Sequence, residues 1–189
     1  MAGGWLGDVL ASMMQNQSAV WLPLNTWDEA RRPAALWPWL SHADSLTEKL
    51  RAAVGAAFHV QVLREYTTAL AAGDAQLLHS LPGTAAHARE VYLCGTVPCV
   101  YARTLATAEA AYWLDRLNTQ PLGDRVFAAP GTERLPIQVA RLDAGQELHR
   151  AAVKRLERKP AGLWARRSVL VADNRRLLIY ECFLQESPH

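Results

Sequence analysis

The sequence has no uninterrupted apolar run of about 18 residues, the length that a membrane-spanning helix requires. The segment that begins at Met1 has no Lys or Arg before its apolar residues and contains Asp8, so it fits a secretory signal peptide poorly. We therefore expect a protein without a membrane span that is located in the cytoplasm.

Cysteine pairs and basic clusters are also missing. The three cysteines, Cys94, Cys99 and Cys182, have no paired spacing and are expected to be free thiols, and the six histidines lack the spacing of a metal site. The formal net charge is only +2 and no basic run is present, so we expect no nucleic-acid partner. The motifs GxSxG, GxGxxG and the P-loop are absent, which argues against the hydrolases and nucleotide-binding proteins that use them.

What the chain does contain is the composition of one globular domain. Its 189 residues are half apolar and one-fifth charged, a balance that allows a sizeable core. Residues 1–38 are rich in Trp and Pro, and we interpret them as an N-terminal extension packed on a domain formed by residues 39–189.

Local patterns predict an α+β domain with an antiparallel sheet. Ser45-Leu-Thr-Glu48 has the spacing of a capping box and predicts a helix over residues 45–56, and alternation from Phe58 to Val62 predicts a strand. Two hairpins are predicted, one around Gly95-Thr96 and one around Asp173-Asn174. Further helices are predicted at 107–117, after Gln120 and at 144–159, with a strand near 134–141.

Three charged residues lie in segments that should form the sheet core. Glu181 lies in the most apolar strand, on the same face as Ile179 and Phe183, where an unpaired carboxylate would be costly. Arg103 and Arg89 lie on the two strands of the first hairpin, and we expect both guanidinium groups to project toward one face of the sheet. Each residue alone is explained by an edge position or an ion pair, but together they favour a polar pocket.

Two helix starts add anion-binding capacity to this prediction. The amide of Leu46 follows the Ser45 cap and the amide of Leu122 follows Pro121, and the first amides of a helix have no acceptor within it. This signal is weak, because every helix has such an end. The adjacent Arg166 and Arg167 are interpreted as structural or surface residues of a strand.

At this point the chain resembles the chorismate lyase family, also called chorismate–pyruvate lyase or 4-hydroxybenzoate synthase. The resemblance covers about residues 39–188 and depends on the order and spacing of several short motifs: Asp44-Ser-Leu-Thr, Arg64-Glu65, Arg89-Glu-Val-Tyr-Leu-Cys94, Ala102-Arg-Thr104, Pro121-Leu-Gly123, Ala161-Gly-Leu-Trp-Ala-Arg-Arg-Ser168 and Leu177-Leu-Ile-Tyr-Glu-Cys-Phe-Leu184. It implies an antiparallel sheet of about six strands with helices mainly on one face and an enclosed ligand site. Residues 1–38 and the longer segment 142–159 depart from the family pattern.

The resemblance also implies a reaction and roles for the candidate residues. Chorismate would be converted to 4-hydroxybenzoate and pyruvate at the entry to ubiquinone synthesis, without a cofactor, and we expect a monomer. By resemblance, Arg89 and Arg103 would bind carboxylates or other oxygens of the ligand, and the amides of Leu46 and Leu122 would complete the pocket. We hypothesise that Arg89 and the two amides hold the ring carboxylate, and that Arg103 stabilises charge on the departing enolpyruvate. Glu181 would either transfer a proton or only orient the ring hydroxyl.

Two alternatives remain open at this stage. A related fold serves as the effector-binding module of some transcription regulators, although residues 1–38 contain no convincing helix-turn-helix. A lyase that acts on another enolpyruvyl or benzoate compound would use the same pocket. Turnover of chorismate without added cofactor separates these readings.

Overall fold

The computed structural model describes residues 19–186, and its centre is one eight-stranded antiparallel sheet. The spatial order is β1-β6-β7-β8-β4-β3-β2, and β5 pairs with β7. The strands are β1 (Leu22–Pro23), β2 (His59–Ala69), β3 (Ala85–Cys94), β4 (Pro98–Thr107), β5 (Glu133–Arg134), β6 (Gln138–Asp143), β7 (Gly162–Ala172) and β8 (Arg175–Phe183). The predicted α+β class with an antiparallel sheet is confirmed, with eight strands in place of about six.

Five short α-helices accompany the sheet in the described part of the chain. They are α1 (Trp37–Leu40), α2 (Leu46–Val54), α3 (Ala72–Leu77), α4 (Leu122–Val126) and α5 (Glu147–Val153). The helix predicted over 107–117 is wrong, because β4 continues to Thr107 and only a 3-10 turn follows at Ala111–Trp113. The helix predicted over 144–159 is confined to α5. None of the helices within residues 19–186 is long and apolar enough to cross a membrane.

Both faces of the sheet are covered by apolar clusters. We call the face that bears Arg89, Thr104 and Ile179 the site face, since these residues are cross-strand neighbours. Helices α1, α2 and α4 contribute to the clusters on the site face, whereas α3 and α5 contribute to those on the opposite face. Alternate residues of each central strand therefore enter two different environments.

Local sequence signals explain the two elements that position the site. The Ser45 hydroxyl accepts a hydrogen bond from the Glu48 amide at 3.3 Å, as the capping-box spacing predicts. The turn between β7 and β8 has two residues, Asp173 and Asn174, with φ values of 51° and 57°. Positive φ at both turn positions is the geometry of a type I′ hairpin, which fixes the register of β7 against β8.

Residues 19–38 pack against the rest of the domain. β1 pairs with β6, Leu36 is buried in the core, and the rings of Trp27 and Trp164 lie 5.2 Å apart between centroids. Residues 1–18, which include the rest of the predicted extension and the segment compared with a signal peptide, lie outside the described residues. The boundary at residue 38 stays a prediction.

Candidate functional site

A cavity lies between the site face of the sheet and the first turns of α2 and α4. Its atom-free space, mouth included, measures about 530 Å³. The charged residues that line it are Arg89, Arg134 and Glu181, and most of the other walls are apolar, including Val91, Leu93, Ala102, Phe127, Leu170 and Ile179. Apolar walls with a few convergent polar groups are typical of small-molecule sites.

The starts of α2 and α4 meet at this cavity. Leu46 and Leu122, the first residues of the two helices, both line it. A Cβ atom on Gly123 would lie 3.0 Å from the Thr47 hydroxyl oxygen and 3.1 Å from that of Ser45, so a side chain at this position would press on the start of α2. The predicted convergence of Leu46 and Leu122 is therefore present.

Arg89 is held at one side of the cavity by groups from two segments. Its Nε donates to a carboxylate oxygen of Glu65 on β2 at 2.9 Å, and its Nη2 donates to the carbonyl of Asn118 at 2.5 Å. The side chain is only 4% exposed. Burial lowers the pKa of Arg89, although the hydrogen bond and negative charge of Glu65 act in the opposite direction. The guanidinium is thus partly desolvated, a state in which a ligand carboxylate is an effective additional partner.

Glu181 is buried and paired with Arg166. The Nε of Arg166 donates to Glu181 at 2.5 Å, and its Nη1 donates to the carbonyls of Trp39 and His42 at 2.9 and 2.6 Å. Burial opposes ionisation of Glu181, but the charges of Arg166 and Arg134 outweigh it and hold its pKa below the usual value. Glu181 is therefore a carboxylate at neutral pH and accepts hydrogen bonds.

Arg134 is a cavity residue that the sequence did not reveal. It ends the two-residue strand β5, and its Nη1 donates to the Ser168 hydroxyl while its guanidinium lies 5.2 Å from the centre of the Phe127 ring. Burial lowers the pKa of Arg134 to about 10 despite the nearby charge of Glu181. The sequence predicted one strand near 134–141, whereas the structure has two, β5 and β6, and a two-residue strand is too short for alternation to show which way Arg134 points.

Comparison with known sequences places the chain in a family. The family model described as chorismate lyase matches residues 14–188. The chain belongs to the chorismate lyase family. A relative named probable chorismate pyruvate-lyase from Halorhodospira halophila is 35% identical over 176 residues, covering 91% of this chain and 93% of the relative. Another with that name, from Nitrosomonas europaea, is 32% identical over 157 residues, covering 80% and 88%. The family match begins within residues 1–38, the segment interpreted as an extension.

Solved structures share the fold of this chorismate lyase family member at low sequence identity. The PhnF C-terminal domain superposes with a TM-score of 0.57 at 14% identity, covering 77% of this chain and 90% of that domain. The ligand-binding domain of a putative GntR-family transcriptional regulator from Bordetella bronchiseptica gives a TM-score of 0.52 at 12% identity, covering 70% and 85%. At these identities the similarity establishes the fold alone.

One predicted site residue of this chorismate lyase family member does not reach the cavity. In the antiparallel register Arg89 faces Thr104, and Arg103 faces Glu90, so the two arginines project from opposite faces. The Arg103 guanidinium binds both carboxylate oxygens of Glu147 at 2.7 and 2.8 Å, and its Nε donates to Glu90 at 3.0 Å. The prediction that Arg103 shares one face with Arg89 is wrong, and its donors already have protein acceptors.

Proposed function

We propose that this protein binds chorismate in the cavity between the site face, α2 and α4, and converts it to 4-hydroxybenzoate and pyruvate. The observation that carries the proposal is the placement of the Arg89 guanidinium and the Glu181 carboxylate in one largely apolar cavity. Membership of the chorismate lyase family and relatives named probable chorismate pyruvate-lyase support the choice of substrate.

Arg89 is proposed to bind the ring carboxylate of chorismate together with the first amides of α2 and α4. The Nε and Nη2 of Arg89 already have protein acceptors, whereas Nη1 has none within residues 19–186 and can donate to a carboxylate, a bond that the partial desolvation strengthens. The amides of Leu46 and Leu122 lie at helix starts, where donors lack acceptors within the helix. These contacts fix the ring before any bond breaks.

The reaction is an elimination followed by ketonisation of the leaving group. The bond between the ring and the ether oxygen breaks, its electron pair moves to that oxygen, and the neighbouring hydroxyl-bearing carbon loses its hydrogen as a proton. The ring becomes aromatic, and the enolpyruvate gains a proton and becomes pyruvate. No electrons enter or leave, so the proposed reaction requires no redox cofactor.

Glu181 is proposed to contact the hydroxyl-bearing side of the ring as a carboxylate. In its ionised form it accepts the hydrogen bond of the ring hydroxyl or the proton of the adjacent carbon, and it has no proton of its own to donate. A Glu181→Gln variant separates these roles. Turnover near that of the wild type would mean that Glu181 only orients the ring, whereas loss of turnover with retained binding of 4-hydroxybenzoate would mean proton transfer.

The central test incubates the purified protein with chorismate, without added cofactor, and follows pyruvate and 4-hydroxybenzoate together. We expect equal amounts of both products, and strongly reduced turnover and 4-hydroxybenzoate binding in Arg89→Gln. Binding of chorismate without turnover would instead favour an effector-binding module. Turnover of a different enolpyruvyl compound in preference to chorismate would redefine the substrate.

We further propose that the protein acts as a cytoplasmic monomer at the entry to ubiquinone synthesis. The argument for this setting is the resemblance and the product it implies. Sedimentation at several protein concentrations tests the monomer, and loss of ubiquinone from cells that lack the protein, restored by added 4-hydroxybenzoate, tests the pathway.

A further inference from the structure

The cavity contains one cation, Arg134, that forms no ion pair with a carboxylate of the described residues. Within residues 19–186 no carboxylate oxygen lies within 4.0 Å of a nitrogen of Arg134, whereas Arg89 is paired with Glu65 and Arg166 with Glu181. The Nε of Arg134 is buried and has no acceptor in this part of the chain. Burial of such a charge without a partner destabilises the free protein, as the lowered pKa of Arg134, about 10, reflects.

The donors that Arg134 retains match the shape of a carboxylate. Its Nη1 is used by the neutral Ser168 hydroxyl. The Nε and Nη2 form the other edge of the planar guanidinium, and two parallel hydrogen bonds from such an edge to the two oxygens of one carboxylate are a common bidentate arrangement. The Arg64 side chain of this protein binds Glu90 in that way, through Nε at 2.7 Å and Nη2 at 2.8 Å.

The sheet register places the two cavity arginines at opposite sides. Arg89, Thr104, Ile179 and Ser168 form one continuous cross-strand row over β3, β4, β8 and β7. Three strand spacings separate the backbones of Arg89 and Ser168, which is about 14 Å at the usual distance between neighbouring strands. Arg134 is bound to Ser168 at the far end of this row. Glu181 lies on β8, between the two ends.

We propose that Arg134 binds the second carboxylate of a dianionic substrate, the one carried by the side chain that leaves. This inference rests on the proposed function, in which chorismate carries one carboxylate on the ring and one on the enolpyruvyl group. Arg89 takes the ring carboxylate, and Arg134 takes the side-chain carboxylate. As the ether bond breaks, negative charge grows on the leaving group, and a cation already in place there stabilises that charge.

The assignment separates substrate from product. 4-Hydroxybenzoate retains the ring carboxylate but has lost the side-chain carboxylate, so it contacts Arg89 and not Arg134. Loss of Arg134 therefore affects the substrate alone, whereas loss of Arg89 affects both ligands. A purely structural role of Arg134 predicts no such selectivity.

The kinetic test compares Arg134→Gln with the wild type. We expect kcat/KM for chorismate to fall by about 100-fold, the scale of a lost charge-stabilising donor, while the dissociation constant of 4-hydroxybenzoate changes by less than about threefold. Arg167→Gln is the matched control, because Arg167 is a half-buried arginine of the same sheet on the opposite face, and it should change neither quantity. Unchanged kcat/KM in Arg134→Gln, or equal loss for both ligands, would overturn the assignment.

A binding test keeps the inference independent of turnover. The probe is 3-(carboxymethoxy)-4-hydroxybenzoate, which carries a second carboxylate on an ether side chain of the same ring, and the reference is 4-hydroxybenzoate. We expect the wild type to bind the dicarboxylate at least about 10-fold more tightly, and Arg134→Gln to bind both ligands about equally. If the wild type binds the dicarboxylate preferentially but does not turn over chorismate, the proposed reaction fails and the subsite stands. A preference that persists in Arg134→Gln refutes the subsite.

Thermal unfolding of the ligand-free proteins distinguishes a binding role from a structural one. Removal of an unpaired buried cation should leave the unfolding midpoint of Arg134→Gln equal to or above that of the wild type. A clearly lower midpoint, with both ligands weakened, would mean that Arg134 stabilises the fold and would contradict the proposal.

Discussion

Removal of Arg166 should leave the buried Glu181 carboxylate without its ion-pair partner. Arg166 is fully buried and its partner Glu181 nearly so, and the pair is joined at 2.5 Å. Breaking a buried pair by removing one partner costs about 3–5 kcal/mol, a large part of the roughly 5–15 kcal/mol that stabilises a typical domain. For Arg166→Met we therefore expect the unfolding midpoint to fall by roughly 6–20 °C at pH 8.

The pH dependence of this loss has a definite sign. In the wild type the pKa of Glu181 is lowered, so its contribution to stability is present above the unfolded pKa of about 4.3 and is lost as the pH falls through the folded value. Arg166→Met removes the largest of the charges that oppose burial and leaves Arg134 and His42, so we expect the pKa of Glu181 to lie above its wild-type value. The penalty of the variant should then shrink as the pH falls from 8 to 5, because the carboxylate gains a proton.

The assay is urea unfolding of four proteins at pH 8 and pH 5. Besides the wild type and Arg166→Met it includes Glu181→Leu and the double variant, which completes a double-mutant cycle. We expect the double variant to recover about 2 kcal/mol relative to Arg166→Met, with a remaining deficit because the carbonyls of Trp39 and His42 lose a donor. A double variant no more stable than Arg166→Met, with no dependence on pH, would refute the assignment of the cost to the unpaired carboxylate.

Three further predictions concern the helix starts. Ser45→Ala removes the acceptor of the Glu48 amide and should lower the free energy of unfolding by about 1 kcal/mol in urea titrations; no change would mean that water replaces the cap. Gly123→Ala adds a Cβ about 3.0 Å from the Thr47 hydroxyl and should lower the free energy of unfolding by about 1–3 kcal/mol. It should also weaken the binding of 4-hydroxybenzoate in calorimetric titrations, and normal binding would contradict the proposed role of these helix starts. The control is Gly73→Ala in α3, where an added Cβ meets no atom within 4 Å. This variant should raise the free energy of unfolding by about 0.5–1 kcal/mol, and a loss of stability would contradict the helical geometry at Gly73.

The hairpin of β7 and β8 shows how far sequence reasoning reaches into the site. Asp173-Asn174 predicted a two-residue turn, and a two-residue turn places Ala172 opposite Arg175. Counting back along both strands pairs Arg166 with Glu181, so the partner of Glu181 was encoded in the turn. Our interpretation of Arg166 as a structural residue did not use that count.

The same counting rule exposes the mistaken placement of Arg103. In an antiparallel pair joined by a two-residue turn, each odd-numbered residue pairs with an even-numbered one, and paired residues share a face of the sheet. Arg89 and Arg103 are both odd-numbered, so they project from opposite faces. The observed connection spans residues 95–97, but a register irregularity between Leu93 and Cys94 preserves that parity along the strands. Arg134 was beyond reach for a different reason, since only the tertiary pairing of β5 with β7 brings it to Ser168.

The irregularity between Leu93 and Cys94 has a consequence for altering this protein by design. A connection shortened or lengthened by one residue, without a compensating change in the bulge, would rotate every side chain of β4 to the other side of the sheet. Ala102 and Thr104 would leave the cavity wall, and the long side chain of Arg103 would enter in their place. The length of a solvent-facing turn thus determines which side chains line the cavity, and insertions or deletions in that turn should be made two residues at a time.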